Sequence, residues 1–163
     1  MPFDLTLKRL SFGKNGSEKS SDLDGLKHLW FDYQPNSLAL PIFSERFKNL
    51  IDAHAMDKEY LDWIEVKIHQ NKKVFRTYYM LKFKQKKDVL NLEKSEFSGR
   101  NADFLVKPFF ALEKIDNLNI FTIAEDNWQI TSHLYVSQEI KAAAKAQSMI
   151  GLNFEDVNAS RFI

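Results

Sequence analysis

The 163-residue chain contains no cysteine, and this absence excludes several kinds of chemistry. A disulfide framework, a thiol nucleophile and a cysteine-bound metal all require that residue. The chain also has no apolar run that approaches the roughly 20 residues of a membrane-spanning helix. Its first residues, MPFDLTLKRLSF, lack the basic-then-apolar order of a signal peptide. We therefore expect a cytoplasmic protein that does not bind membranes.

Catalytic and metal-binding patterns are also scarce. The four histidines are scattered without metal-ligand spacing: His28, His54, His69 and His133. Neither Ser44 nor Ser137 lies in the G-x-S-x-G turn that carries a hydrolase nucleophile. The sequence therefore predicts a protein that is not an enzyme and holds no cofactor or metal. A small enzyme is the alternative if a pocket joins His54, His69 or His133 to an acid.

The composition is that of a folded protein. Hydrophobic residues make up 44% of the chain and include 14 phenylalanines. The length fits one domain over residues 1–163, in which 1–37 form an N-terminal extension and 13–25 a mobile surface loop. Segments with strand composition outnumber the two convincing helices. We therefore predict an α+β fold: a single domain with a mostly antiparallel sheet and two main helices.

The longest predicted strands lie in the middle of the chain. Residues 63–68 largely alternate apolar and polar side chains, and residues 74–83 form a long β-rich run that we place centrally in the sheet. Asn71-Lys72 is the predicted turn between these two strands. Shorter strands are expected at 1–12 (an edge strand), 89–92, 104–112 (two strands or an edge, interrupted by Pro108) and 120–123.

Both predicted helices belong to a unit that occurs twice. The clearer copy is Leu134–Ser160, which opens with a short strand at 134–136. Ser137 is placed to cap a helix that runs from Gln138 to about Ile150. Gly151 is then expected to end the helix with a left-handed residue, and 152–154 to resume an extended strand.

The earlier copy occupies residues 40–66, where Ser44 matches Ser137. Its helix is predicted to run from Glu45 to about Met56, and it has no glycine equivalent to Gly151. His54 falls on the apolar side of this helix, so we expect a partly buried imidazole with satisfied hydrogen bonds. Further matches are Lys48 with Lys141, Ala53 with Ala146 and, after a two-residue slip, Trp63 with Phe154 and Val66 with Val157.

The pair of units, FSERFKNLIDA and VSQEIKAAAKAQSMIGLNF, resembles a family of bacterial immunity proteins that neutralise polymorphic toxins. The intervening RTYYMLKFKQKKDVLNLEKSEF and FALEKIDNLNIFTI also fit, so the resemblance runs from about residue 38 to residue 157. The first copy departs from it by having Lys58-Glu59-Tyr60 in place of the glycine. The resemblance implies a cytoplasmic inhibitor that binds its cognate toxin, the C-terminal domain of a secreted protein, without catalysis.

Charge points to a binding surface. The net charge is +1, yet residues 72–87, here called the basic strip, hold seven of the 23 basic residues and no acid. The other residues therefore carry 16 basic against 22 acidic side chains. In an extended strand Lys82, Lys84 and Lys86 share one face, and Phe83 points to the other. The predicted partner-binding residues are Arg76, Tyr78, Lys82, Lys84, Lys86 and Lys87.

Three interpretations of the basic strip are open. It can be a solvated outer face of a sheet, with lysines that discourage edge-to-edge aggregation. It can also be a docking surface for an acidic protein partner, in which aromatic side chains add contact area. A nucleic-acid-binding module is the third interpretation, but the near-neutral total charge and the lack of a recognised binding motif argue against it.

Overall fold

The computed structural model describes residues 3–7, 9–12, 18–21, 23, 29–55, 61–100, 104–123, 129–130 and 133–160. Within them the helices are α1 (Glu45–His54), α2 (Leu112–Ile115) and α3 (Gln138–Ala146). The strands are β1 (Phe3–Thr6), β2 (Arg9–Phe12), β3 (Glu18–Ser21), β4 (Ile42–Phe43), β5 (Leu61–His69), β6 (Phe75–Phe83), β7 (Glu96–Ser98), β8 (Phe104–Lys107), β9 (Phe109–Ala111), β10 (Ile120–Phe121), β11 (Tyr135–Val136) and β12 (Asn158–Ser160).

The main sheet has four strands in the order β1-β5-β6-β4. β5 and β6 form an antiparallel hairpin that pairs Leu61 with Phe83 at one end and His69 with Phe75 at the other. The predicted central strand is therefore confirmed, because β6 lies between β5 and β4. The predicted turn also forms, since the Asn71 side-chain oxygen accepts the backbone N–H groups of Lys73 and Val74, both at 2.9 Å.

The N-terminal strands confirm one expectation and correct another. β1 pairs in parallel with β5 and forms an edge of the main sheet, as predicted. Part of the predicted loop 13–25 is instead β3, which pairs antiparallel with β2. The polar sequence of β3 does not predict a strand, and its pairing with β2 supplies the backbone hydrogen bonds that form one. Apart from β3 and Leu23, residues 13–25 lie outside the described residues.

Smaller two-stranded sheets complete the fold: β7–β8 and β10–β11 are antiparallel, and β9–β12 is parallel. The predicted α+β fold with a mostly antiparallel sheet is confirmed. Pro108 divides β8 from β9 as expected, and β10 occupies the first half of 120–123. The strand predicted at 89–92 is wrong, because only Leu90 bridges to Phe110. Asn91 starts a turn there, and its side-chain oxygen accepts the N–H of Lys94 at 3.2 Å.

The two predicted helix caps are confirmed. Ser44 and Ser137 have the same extended backbone, with φ −65° and −66° and ψ 162° at both. Their hydroxyl oxygens accept the N–H of Phe47 at 3.2 Å and of Ile140 at 3.4 Å. The two strands that precede the caps, β4 and β11, also match. The duplication therefore holds for the strand, the cap and the helix.

The second half of the duplication does not hold. α1 ends at His54, two residues before the predicted Met56, which itself lies outside the described residues. α3 ends at Ala146, four residues before Ile150. Ser148 takes the left-handed position after it, with φ +50°. Two bonds close this end, from the N–H of Ser148 to the carbonyl of Lys145 and from Met149 to Ala144, which is the Schellman pattern.

Gly151 therefore does not end the helix, although its φ of +83° is left-handed. Residues 152–154 also form no strand, whereas the matching residues 61–63 of the first copy lie in the long strand β5.

The core lies on both sides of the main sheet. α1 and α3 pack on one side, where Phe47, Leu50, Ile51 and Ile140 are buried. A second cluster on the other face contains Ile42, Val66, Ile68, Tyr78 and Met80, and a third holds the small sheets together through Val89, Phe110, Phe121 and Ile123. Of the helices in the described part of the chain, none has the length and apolar content that a membrane span requires.

Candidate functional site

The structure divides the predicted basic strip between the two ends of β6. Arg76 lies near the start of the strand and Lys82 near its end. They are six positions apart in an extended strand, which places them roughly 20 Å apart. Between them on the same face lie Tyr78 and Met80, which are 3% and 2% exposed. The six predicted partner-binding residues therefore do not form one continuous surface.

Tyr78 is corrected from a surface residue to a core residue. Its ring packs beside Trp30 with centroids 6.2 Å apart, and its hydroxyl donates a hydrogen bond to the carbonyl of Phe31 at 2.8 Å. Residues 76, 78, 80 and 82 share one face of β6, and the buried residues Val66 and Ile68 of β5 lie on the same face. Tyr78 thus belongs to that buried apolar face, not to an exposed surface.

Tyr78→Phe is expected to change the stability of the protein at alkaline pH. Burial raises the pKa of Tyr78 to about 12 from its usual 10.0. The neutral phenol therefore stabilises the fold fully below pH 10, and this contribution, on the order of 2 kcal/mol, is lost as pH rises from 10 to 12. At pH 8 the free energy of unfolding of the phenylalanine variant should be about 1 kcal/mol below that of the wild type, because the hydrogen bond to Phe31 is gone. Between pH 10 and 12 the variant should not show the further loss that is expected of the wild type.

Urea unfolding of both proteins at pH 8, 10 and 12 measures the difference. Parallel stability curves for the wild type and the variant across that range would contradict the assigned role of Tyr78.

Of the four lysines at the other end of β6, only Lys84 and Lys86 are exposed, and the four do not share a strand face. β6 ends at Phe83, which is buried and opposite to Lys82 as predicted. Lys84 and Lys86 follow in irregular backbone, so the expected alternation with Lys82 is wrong beyond Phe83. They are exposed, whereas Lys82 and Lys87 are partly buried. We call Lys82, Lys84, Lys86 and Lys87 the lysine segment.

The end of the lysine segment is fastened to α2. The ammonium group of Lys114 in α2 donates to the carboxylate of Asp88 at 2.8 Å and to the carbonyl of Leu90 at 3.1 Å. Asp88 directly follows Lys87, so these two bonds hold the chain immediately after the lysines against α2.

A groove of about 620 Å³ lies beside α2. Its walls are α2 with the residues that follow it, β11 with the start of α3, and the extended segment 153–157. The apolar lining includes Leu112, Ile115, Leu118, Leu134, Val136 and Phe154, and the acidic lining is Asp116, Glu139, Glu155 and Asp156. A smaller cavity of about 230 Å³ adjoins it and shares Leu134, Val136, Asn153 and Phe154.

One ion pair ties the segment 153–157 to α3. Lys141 donates to the carboxylate of Asp156 at 2.7 Å, and this hydrogen bond holds the pKa of Asp156 below its usual value. The equivalent Lys48 in α1 instead bonds Asp52 within its own helix, also at 2.7 Å. The position in α3 that corresponds to Asp52 is Lys145. Lys141 therefore has no acid one turn on and reaches the next segment.

The other end of β6 carries cationic and aromatic residues on both faces of the β5–β6 hairpin, together called the hairpin surface: Arg76 with Trp30 on one face, and Lys67, His69 and Phe75 on the other. The guanidinium of Arg76 lies 4.9 Å from the centroid of the Trp30 ring, and the Lys67 ammonium lies 5.9 Å from that of Phe75. His69 packs against Phe75 with centroids 5.4 Å apart. Phe75 is half exposed, so this surface combines positive charge with accessible aromatic area.

His54, His69 and His133 take the positions expected of structural or surface residues. Nδ1 of His54 lies 2.8 Å from the carbonyl oxygen of Leu50, which fits the predicted satisfied imidazole. His69 pairs with the exposed Asp4 at 3.3 Å on the surface. Neither the groove nor the adjoining cavity is lined by a histidine. Among the described residues no three His, Cys, Asp or Glu side chains could together hold a metal ion; His28 lies outside them.

Sequence reasoning missed the groove. Its acids come from three separate stretches, at 116, 139 and 155–156, and none of these stretches has an unusual local composition. The basic strip was conspicuous because its residues are consecutive.

Comparison with known proteins places the chain in a family. The family model described as Immunity protein 43 matches residues 23–162. The match extends beyond the resemblance at 38–157 and includes part of the segment 1–37. A search of curated proteins finds no significant match. Since the family model covers most of the 163 residues, the chain belongs to the Immunity protein 43 family, and the predicted resemblance to immunity proteins is confirmed.

Proposed function

We propose that this protein neutralises one cognate toxin by binding its toxin domain, without catalysis, in the cytoplasm of the cell that produces the toxin. The observation that supports this proposal is membership of the Immunity protein 43 family over residues 23–162. The toxin would be the C-terminal domain of a secreted polymorphic toxin. Inhibition would follow from covering the toxin's active site or from locking its conformation.

Such an inhibitor has to capture a lethal enzyme at low concentration. Electrostatic steering between complementary surfaces speeds association, and durable inhibition requires slow dissociation. The lysine segment suits the first requirement, because Lys84 and Lys86 are exposed and form no ion pair among the described residues. In this proposal it attracts an acidic surface of the toxin.

The test has two parts. A tagged copy is isolated from its native cell and the co-purifying proteins are identified. The toxin domain so found is then expressed in a sensitive host with and without this protein. A stoichiometric complex with the C-terminal domain of a secreted protein, together with survival of the co-expressing cells, is the expected result. Absence of such a complex, or death of the co-expressing cells, would overturn the proposal.

Reversing the lysine segment is expected to slow complex formation. In Lys82→Glu/Lys84→Glu/Lys86→Glu, the association rate constant with the toxin domain should fall about tenfold or more at low salt, because long-range attraction becomes repulsion. The dependence of that rate on salt should weaken or invert. Stopped-flow mixing at several ionic strengths measures both quantities.

The matched control is Lys67→Glu/Lys72→Glu/Lys73→Glu, which changes the net charge equally at the hairpin surface and in the turn between β5 and β6. It should retain most of the association rate. If both triple variants behave alike, steering depends on total charge and not on the lysine segment.

Nucleic-acid binding is the second candidate function. The cation–aromatic contacts of Arg76 with Trp30 and of Lys67 with Phe75 favour it. Aromatic side chains beside cations can stack on nucleic-acid bases as well as contact a protein. The division of the basic strip argues against a continuous phosphate track. Binding to a 20-nucleotide single strand that weakens steeply with salt, without any protein partner, would support this function.

A further inference from the structure

We propose that the groove beside α2 is the second contact with the toxin and receives an amphipathic segment that carries lysine or arginine. This inference rests on the proposed function, and it assigns a surface and a partner chemistry to it. It adds an acidic contact to the basic one of the lysine segment.

The shape and lining of the groove suit a polypeptide segment. Its volume of about 620 Å³ lies within the range of ordinary binding clefts, and the apolar cavity of about 230 Å³ extends it. Leu118, Leu134, Val136 and Phe154 in its lining are partly buried, and Val157 is 48% exposed. Apolar side chains that enter the groove would remove this surface from water, which favours association.

The charge of the groove selects a cation. Asp116, Glu139, Glu155 and Asp156 line it, with Lys141 as the one basic residue of the lining. Lys141 is engaged by Asp156 at 2.7 Å. Asp116, Glu139 and Glu155 are exposed and form no ion pair within the described part of the chain. A partner that covers these carboxylates without supplying positive charge would leave them desolvated and unpaired.

An anionic occupant is disfavoured although the N-terminus of α3 opens on the groove. A helix N-terminus attracts negative charge through its unpaired N–H groups. Here the Ser137 hydroxyl already accepts the N–H of Ile140, and Glu139 supplies a negative charge in the first turn. An added phosphate or carboxylate would also meet the other acids of the groove.

The groove and the lysine segment flank the same short helix. Lys114 of α2 anchors the chain after the lysine segment, and Leu112, Ile115 and Asp116 line the groove. A toxin surface with acidic and basic regions in the matching order would bind in one orientation only, because rotation would bring like charges together. The toxin segment in the groove therefore fixes the orientation in which the toxin binds.

The test removes charge without changing shape. The variant is Asp116→Asn/Glu139→Gln/Glu155→Gln, and the control is Asp62→Asn/Glu65→Gln/Glu93→Gln, which removes three exposed acids outside the groove lining. The probe is the toxin domain recovered by co-purification. The dissociation constant of the groove variant should rise at least tenfold at low salt, and the difference should shrink at high salt. The control should stay within about twofold of wild type.

A second variant blocks the groove directly. Val157→Arg places a cation at its mouth and should also raise the dissociation constant at least tenfold, with an unchanged circular dichroism spectrum. If both groove variants bind like the control while the wild type binds and protects, the groove proposal is wrong and the proposed function stands. If the wild type neither binds nor protects, the proposed function itself fails.

Discussion

Replacement of Asp32 by alanine is expected to lower the free energy of unfolding by about 3 kcal/mol. The side chain is only 5% exposed, and its two carboxylate oxygens serve different parts of the chain. One oxygen accepts the hydroxyl of Ser44 at 2.6 Å, and the other accepts the N–H of Ile150 at 2.9 Å. Alanine leaves both donors without this acceptor in a partly buried place, and each loss costs about 1–3 kcal/mol.

The position of Asp32 explains why the loss should spread through the fold. Its backbone N–H bonds the carbonyl of Ile150 at 2.8 Å, and its carbonyl accepts the N–H of Ser44 at 2.9 Å. Ser44 caps α1, and Ile150 follows α3. Asp32 therefore joins the start of one repeated helix to the chain beyond the other.

Asp32→Asn should keep only one of the two hydrogen bonds that the carboxylate accepts. The amide offers one acceptor oxygen, so it can satisfy Ser44 or Ile150 but not both, and the loss should be intermediate. The control Asp62→Ala, at an exposed position of β5, should stay within about 0.5 kcal/mol of wild type. Urea unfolding at pH 7 measures all three variants. Equal losses for Asp32→Ala and Asp62→Ala would refute the role of Asp32.

The features that the sequence predicted well are those that neighbouring residues determine. The serine caps, the helices that they begin and the β5–β6 hairpin each depend on side chains within a few positions. Asp32 carries no such mark, because its partners are 12 and 118 residues away. The parallel pairing of β9 with β12 also joins distant residues, such as Phe109 with Asn158, and was not predicted.

The candidate site shows the same limit. The basic strip is continuous in sequence, yet β6 carries Arg76 and Lys82 to opposite ends and turns Tyr78 into the core. The prediction assumed that basic residues close together in sequence form one charged surface. A long strand does not allow this, because it carries its two ends far apart. The groove is the opposite case, since three distant segments bring its acids together.

Gly151→Ala is expected to cost about 3 kcal/mol or more in the free energy of unfolding. A Cβ atom there would lie 2.6 Å from the carbonyl oxygen of Tyr33 and 2.8 Å from the Cβ of Phe31. The first neighbour is backbone and cannot turn aside. The φ of +83° adds strain of about 1–2 kcal/mol for any residue other than glycine. The clash would force the chain at 150–151 away from 31–33, where Asp32 binds it.

Variants at two other positions with positive φ distinguish the steric clash at Gly151 from backbone strain alone. Gly99→Ala, at an exposed turn with φ +94°, should lose only about 1 kcal/mol. Ser148→Gly, at φ +50°, should lose nothing, because glycine relieves strain there. Urea unfolding measures the stability of the three variants. If Gly151→Ala lowers the free energy of unfolding no more than Gly99→Ala does, the close contact of Gly151 with residues 31–33 is contradicted. The sequence correctly predicted a left-handed backbone at Gly151 but gave the wrong reason for it. The glycine is required because residues 31–33 approach it closely, and that contact positions the start of the segment that lines the groove.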